Sequence, residues 1–284
     1  MAKYILSAFA DEVSPEFDKQ LEYLKHADIH YIEPRNIDGT NVSSLTLDQA
    51  KNTMAKMKKA GIGASSIGSP VGKVNIATDD LDEHMKLFEH TLDLAEIFET
   101  KNIRMFSFFY PEGHDPKEYR NEIMQQLSIM LDKAEKRGIN LCHENEARIY
   151  GEKPEYCLDL MENFGGRLKS VIDMGNFAFC KQDAYKGYDM LKDYIEYIHI
   201  KDAFYDTRIV PAGKGDGQVK KILDSYNKMT DREVFLTLEP HLTLFSGLSN
   251  LSNMEDISVE DAYETPELAF DAGCAALRSI LSEI

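Results

Sequence analysis

Short apolar runs and longer amphipathic stretches alternate eight times along the chain. The apolar runs lie near residues 3–9, 30–34, 62–67, 103–108, 139–144, 168–173, 194–200 and 234–239. Short runs of this kind, bounded by breakers, predict strands. Apolar positions recur at helical spacing near 15–27, 46–60, 80–100, 117–137, 154–164, 183–193, 217–229 and 265–282, which predicts helices. Ser14-Pro15-Glu16 and Thr265-Pro266-Glu267 place a capping residue and a first-position proline before the first and last helix. Gly61, Gly138 and Gly165 stand where helices should stop. The pattern predicts an α/β fold, a (β/α)₈ TIM barrel, with residues 1–284 as a single domain. A doubly wound open sheet competes, but no GxGxxG follows the first strand. Residues 240–263 lack clear periodicity and follow strand eight, so they should lie over the active face or lead into the last helix.

Four consecutive strands end on polar residues that a buried strand should avoid. LCHENE carries Glu144, VIDMGN carries Asp173, YIHIKD carries His199 and FLTLEPH carries Glu239. A carboxylate at a buried strand tip costs several kcal/mol to desolvate unless a cation meets it. In a barrel these four tips share the C-terminal mouth, where active sites are built. Alone, each such residue reads as a helix cap or a core hydrogen-bonding group. Together, three carboxylates and an imidazole would be forced towards protonation without a cation. They form a ligand set for one divalent ion, with Mn²⁺, Mg²⁺, Zn²⁺ and Co²⁺ all suited to mixed oxygen and nitrogen donors. Strand parity puts Glu146 one step above Glu144, Lys201 above His199 and His241 above Glu239, while His143 points away from the axis. Asn176, Arg104, Ser107, Glu33 and Ser66 are further candidates for the mouth. PAGKGDG, residues 211–217, reads either as a turn that needs positive φ or as an anion loop with Lys214.

Charge and composition narrow the partners. The formal net charge of −17 disfavours nucleic acid and anionic lipid surfaces. No apolar run approaches the roughly 20 residues of a membrane span, and Tyr4–Ala10 reads as a strand, not a signal peptide. Cys142, Cys157, Cys180 and Cys274 have neither disulfide-framework nor zinc-site spacing, so a reducing cytoplasm is expected. Self-association is left open.

The order ENE, DMGNF, HIKD, PAGKGDG, LEPH resembles the xylose-isomerase-like TIM-barrel superfamily, most closely its sugar-phosphate isomerase/epimerase group, over essentially the whole chain. The resemblance implies that Glu144, Asp173, His199 and Glu239 hold one divalent metal ion. It also implies a sugar or sugar-phosphate substrate, isomerised or epimerised by proton transfer through a metal-bound enediolate. Glu144 and Glu239 would exchange the proton, and Glu146, Lys201, His241, Asn176, Arg104 and Lys214 would bind substrate. Inosose dehydratases resemble the chain equally, so a metal-dependent lyase is the alternative. Endonuclease-IV-type nucleases share the barrel, but they carry a histidine where Asn176 stands and an aspartate where Tyr197 stands.

Overall fold

The computed structural model describes residues 1–243, 258–259 and 263–284. Eight parallel strands carry the barrel: β1 (Lys3–Ala8), β2 (Tyr31–Ile32), β3 (Gly63–Ala64), β4 (Asn102–Met105), β5 (Asn140–Glu144), β6 (Lys169–Asp173), β7 (Ile195–Ile200) and β8 (Glu233–Leu238). Six of them form one curled parallel sheet in the order β1-β8-β7-β6-β5-β4. β2 pairs with β3 through Tyr31↔Gly63 and Ile32↔Ala64. Single backbone bonds complete the circuit: Glu33 N–H donates to Ala8 O, Ser65 N–H to Ile32 O and Ile67 N–H to Asn102 O. The sheet is therefore closed, as the eightfold alternation predicts. β2 and β3 are shorter than expected, and their tips are tied into the barrel by these isolated bonds.

The helices are α1 (Phe17–His26), α2 (Leu47–Ala60), α3 (Leu81–Ile97), α4 (Arg120–Glu135), α5 (Pro154–Asn163), α6 (Met174–Phe179), α7 (Ala184–Leu191), α8 (Val219–Met229) and α9 (Pro266–Leu281). Each longer helix buries one apolar stripe against the sheet. α8 does so with Val219, Ile222, Leu223 and Tyr226, and each such side chain contributes about 1.5–3 kcal/mol. Thr265 caps α9 by accepting from Leu268 N–H, with Pro266 at its first turn, as its sequence predicts. α1 departs from expectation. It begins at Phe17, and its end is capped from a distance by Asp38, whose Oδ1 accepts from Phe17 N–H at 2.8 Å. Ser14 instead accepts from Glu16 N–H in the preceding turn. α6, unexpected from sequence, starts directly after β6. Most of the 240–263 stretch lies outside the described residues.

Inside the barrel, Cys142, Val171 and Tyr197 form a buried layer with Phe235 packed against it. One step up each strand, at the same parity, stand Glu144, Asp173, His199 and Thr237. The inward face thus changes from apolar filling to ligand chemistry within two residues, at the C-terminal rim.

Candidate metal centre and active site

Donor atoms of Glu144, Asp173, His199 and Glu239 all lie within 4.8 Å of one another. All four residues are buried. The register explains the convergence. His199 pairs with Asp173 on one side and with Thr237 on the other, so the tips of β6 and β7 are level. Glu144 pairs with Val171, two residues below Asp173, and Glu239 follows one residue after β8. Glu144 Oε1 is 2.9 Å and Glu239 Oε2 is 3.3 Å from His199 Nδ1.

Asp173 has two duties. Its Oδ1 accepts from Asn176 N–H at 2.8 Å and caps α6, while Oδ2 faces the cluster 3.0 Å from Lys201 Nζ. It is both helix cap and candidate ligand. Asn176 is fixed by that cap, and its side-chain amide donates to Glu144 Oε1 and to the carbonyl of Asn145.

Each glutamate is matched by an arginine. Arg104 Nη1 lies 3.2 Å from Glu144 Oε2, and Arg35 Nη1 lies 2.9 Å from Glu239 Oε1. Despite burial, which opposes ionisation, the neighbouring His199 and Arg104 hold the Glu144 carboxyl down at about 2. Lys201 and His241 hold Glu239 well below the usual range, again against burial. Burial pushes Asp173 up to about 7, reinforced by Glu144 and Glu239 and opposed by Lys201. Burial alone would lower the His199 pKa, but Glu144 and Glu33 raise it well above the normal value. Burial also lifts Glu12 well above a normal carboxyl and lowers His241 to about 4.

Two observations fit a divalent cation. Glu144 Oε2, Asp173 Oδ2 and Glu239 Oε2 are buried side-chain oxygens with no hydrogen-bond partner. Neighbouring cations lie within ion-pair distance of each, yet none is aligned for a bond. Buried oxygens in native proteins are rarely left so. The charge balance agrees. In and below the mouth Asp11, Glu12, Glu33, Glu144, Asp173 and Glu239 are buried against three buried cations, Arg35, Arg104 and Lys201. With Glu12 protonated, a doubly charged ion taking the place of the protons on His199 and Asp173 brings that set to neutrality.

Glu33 aims the imidazole. It lies below the cluster, not in the mouth, with Oε2 3.2 Å from His199 Nε2. A carboxylate accepts there, so Nε2 carries the proton and Nδ1 is turned to the other ligands. A carboxylate behind a ligating histidine is the usual outer partner in metal sites. Tyr197 and Thr237 hydroxyls also donate to Glu33, and Tyr197 contacts Ser66. Ser66 therefore sits in the barrel interior with Glu33.

Other candidates land as follows. Lys201 reaches Asp173 and stands 3.8 Å from Glu239 Oε2. His241 Nε2 lies 3.0 Å from Glu239 Oε1. Glu146 stands above Glu144 and meets Lys73 at 3.1 Å. Ser107 does not line the mouth: it bonds to His143 Nε2 and accepts from Gly151 N–H, and His143 points away from the axis as parity requires. The anion-loop reading of residues 211–217 is corrected. The amides of Gly213, Gly215 and Gly217 all donate to the buried carboxylate of Asp202. A side chain on Gly215 would collide with that carboxylate, so the glycines serve an internal anion, and Lys214 is exposed on the outside of the loop.

The sequence reading missed Asp11, Glu12 and Arg35. Asp11 grips Arg35 with both carboxylate oxygens, at 3.0 and 3.1 Å, and Arg35 carries that charge to Glu239. The rule used on strands five to eight would have found Asp11 and Glu12, because AFADE ends strand one, but it gives no signal for Arg35, which lies in the loop after strand two.

A profile of the xylose isomerase-like TIM barrel family matches residues 21–254. The chain belongs to that family. Solved structures share the family's barrel at low identity. A probable 3-DHS dehydratase, AsbF, from Bacillus anthracis superposes with a TM-score of 0.72 at 15% identity, over 97% of this chain and 98% of that one. A xylose isomerase-like TIM barrel protein from Mycobacterium smegmatis in complex with magnesium gives 0.71 at 14%, over 98% and 96%. D-Psicose 3-epimerase with D-tagatose, from Clostridium cellulolyticum H10, gives 0.71 at 14%, over 98% of both chains. No curated protein matches the sequence. Among the described residues no helix is long and apolar enough to cross a membrane.

Proposed function

We propose that this xylose isomerase-like barrel is a divalent-metal-dependent enzyme that moves a proton on a carbohydrate carbon next to a carbonyl, as an isomerase or epimerase. The observation that carries the reading is the paired arrangement of Glu144 and Glu239. Each approaches His199 Nδ1 from its own side, each is backed by an arginine, and each has one buried oxygen with no hydrogen-bond partner. Glu144, Asp173, His199 and Glu239 would hold the ion, which supplies Lewis-acid polarisation of a carbonyl when bound.

Two ionised carboxylates facing one pocket suit a two-base reaction. One removes the proton, and the other returns it on the opposite face or at the neighbouring carbon. Such acid–base work contributes about 10²–10⁴ in rate. Lys201, Arg104 and Arg35 oppose the negative charge that proton removal creates. Burial excludes bulk water and strengthens that opposition. The neighbours named as epimerase and magnesium-bound barrel support the reading at the level of fold.

One observation favours a lyase as the second reading. Lys201 is a buried ammonium beside Glu239, placed to give a proton to a departing β-hydroxyl. Solvent-deuterium exchange separates the two. Metal-loaded protein should wash deuterium into the C–H next to a ketose carbonyl, and Glu239→Gln should cut that rate by about 10² or more. Isomerase or epimerase action returns a product of the same composition, whereas lyase action releases one lighter by a water. Absence of exchange in every ketose and inosose tried would overturn both readings.

A further inference from the structure

Around the ligand set, three cations and two aromatic rings lie in contact. Arg35 and Arg104 lie 4.3 and 4.9 Å from the centre of the Phe9 ring. Arg104 also lies 5.1 Å from the Phe106 ring, and Lys73 Nζ stands over Phe106 at 4.3 Å. Each cation has its own glutamate: Arg35 with Glu239, Arg104 with Glu144 and Lys73 with Glu146. The first two glutamates belong to the ligand set. The third pair stands one step higher, towards the rim, where the part of a substrate remote from the reacting carbon must lie.

Lys73 is placed there by a rigid strap, not by chance. Phe106 N–H donates to Val71 O at 2.8 Å, and Gly72 N–H donates to His84 Nε2 at 2.9 Å. Gly72 has φ +88°, and any side chain on it would drive into the Phe106 carbonyl. The strap therefore presses on the end of β4 and sets the lysine stem on the Phe106 ring. Glu146 is fixed in turn, since Oε1 accepts from Ala147 N–H and Oε2 faces Lys73. The side chains of Lys73 and Glu146 are only 11% and 22% exposed.

We infer that this pair selects a neutral, polyhydroxylated substrate end and rejects a phosphate ester, which narrows the proposed function above to free ketoses and related polyols and rests on that reading. An ammonium and a carboxylate side by side offer donors and an acceptor in one place, which matches vicinal hydroxyls. A phosphate set there would meet the Glu146 carboxylate as well as Lys73. The cations deeper in the mouth are already matched by carboxylates. Among the described residues, the glycine-rich loop at 211–217 that would suit a phosphate spends its amides on Asp202.

The test is equilibrium binding of D-fructose and D-tagatose, and of their 6-phosphates, to Mn²⁺-loaded protein, alongside deuterium exchange on the same compounds. The wild type should bind a free sugar at least about tenfold more tightly than its phosphate. Glu146→Gln should erase most of that preference, because the lysine charge is then unopposed. Lys73→Met leaves the Glu146 carboxylate unopposed, so it should weaken the phosphate more than the free sugar and widen the preference. These shifts run in opposite directions, which a general loosening of the site would not produce, and unchanged melting temperatures confirm folding. Equal or tighter phosphate binding by the wild type, or an unchanged ratio in Glu146→Gln, overturns the inference. If that phosphate also exchanges its C–H, the proton-transfer reading stands without it. If a free sugar is preferred but never exchanges, the selectivity stands and the proton-transfer reading falls. Binding of neither class overturns both.

Discussion

Glu33→Gln tests how the candidate metal ligand His199 is aimed. Glu33 is fully buried, and its two oxygens meet three groups: Tyr197 Oη at 2.9 Å, Thr237 Oγ1 at 3.0 Å and His199 Nε2 at 3.2 Å. Glutamine keeps the volume but turns one oxygen into a donor. With its amide nitrogen turned to Tyr197, that hydroxyl accepts and redirects its own proton to Ser66 Oγ, 3.0 Å away, so the fold survives. His199 keeps an acceptor but loses the anion behind it. Loss of such an outer partner typically costs about 10–100-fold in metal affinity, roughly 1.4–2.7 kcal/mol. Alanine would instead strand two buried donors, the Thr237 hydroxyl and His199 Nε2–H, at about 1–3 kcal/mol each and leave a cavity in the barrel, so Glu33→Ala should lose ~3 kcal/mol or more of stability. Mn²⁺ titration by calorimetry reads the first effect and thermal melting the second. A Glu33→Gln protein that melts normally and binds Mn²⁺ within about threefold of wild type would refute the aiming role, since that is under ~0.7 kcal/mol.

Asp173 should separate into its two duties. Asp173→Asn keeps a cap oxygen for α6 and should lose ion affinity at nearly unchanged melting temperature, whereas Asp173→Ala should lose both, with about 1 kcal/mol for the cap. In the wild type, Asp173 is raised to about 7, so ion binding competes with a proton. His199, raised well above its usual value, must give up its Nδ1 proton as well, so affinity should fall by more than about tenfold per pH unit below that point, as read by Mn²⁺ titration across pH. His143 is lowered to about 3, chiefly by burial, so the unfolded chain binds a proton there that the folded chain does not. The stability it provides is complete above about pH 6.5 and is lost as pH falls towards 3, by up to ~1.4 kcal/mol per unit. Denaturant titrations between pH 7 and 5 should show His143→Gln with a flatter acid limb. Asp202→Ala leaves the inward-turned amides of residues 213, 215 and 217 without their acceptor; it should cost about 3 kcal/mol or more and expose the loop to limited proteolysis.

The barrel is legible in the sequence because both of its signals are local. Strands β5 to β8 announce themselves as apolar runs whose last residues are polar, and Glu144, Asp173, His199 and Glu239 converge as parity requires. Lys201 and His241 follow from the same counting, while Arg104 and Asn176, named only as further candidates, meet Glu144. What is not legible depends on partners far along the chain. Arg35 lies in a loop after a two-residue strand, and only its contact with Glu239, 204 positions away, gives it a role. Lys73 lacks a strand to set its parity; its place comes from Gly72 pressing on Phe106. PAGKGDG is misleading for the same reason: glycines that expose amides look alike whether the anion is a ligand or Asp202. Glu33 was placed in the right barrel but at the wrong height, because the depth at which β2 stops is fixed by its bond to Ala8 and not by its own sequence.

The account turns on a single divalent ion among four named side chains, and anomalous diffraction from crystals soaked with Mn²⁺ reads that most directly. The expected result is one strong peak bonded to Glu144, Asp173, Glu239 and the Nδ1 of His199, at roughly 2.0–2.3 Å, with Lys201 moved off the Asp173 oxygen that it faces at 3.0 Å. No peak at the cluster at saturating Mn²⁺, or a peak bound elsewhere while the four side chains keep their contacts with one another and with Lys201, would contradict it.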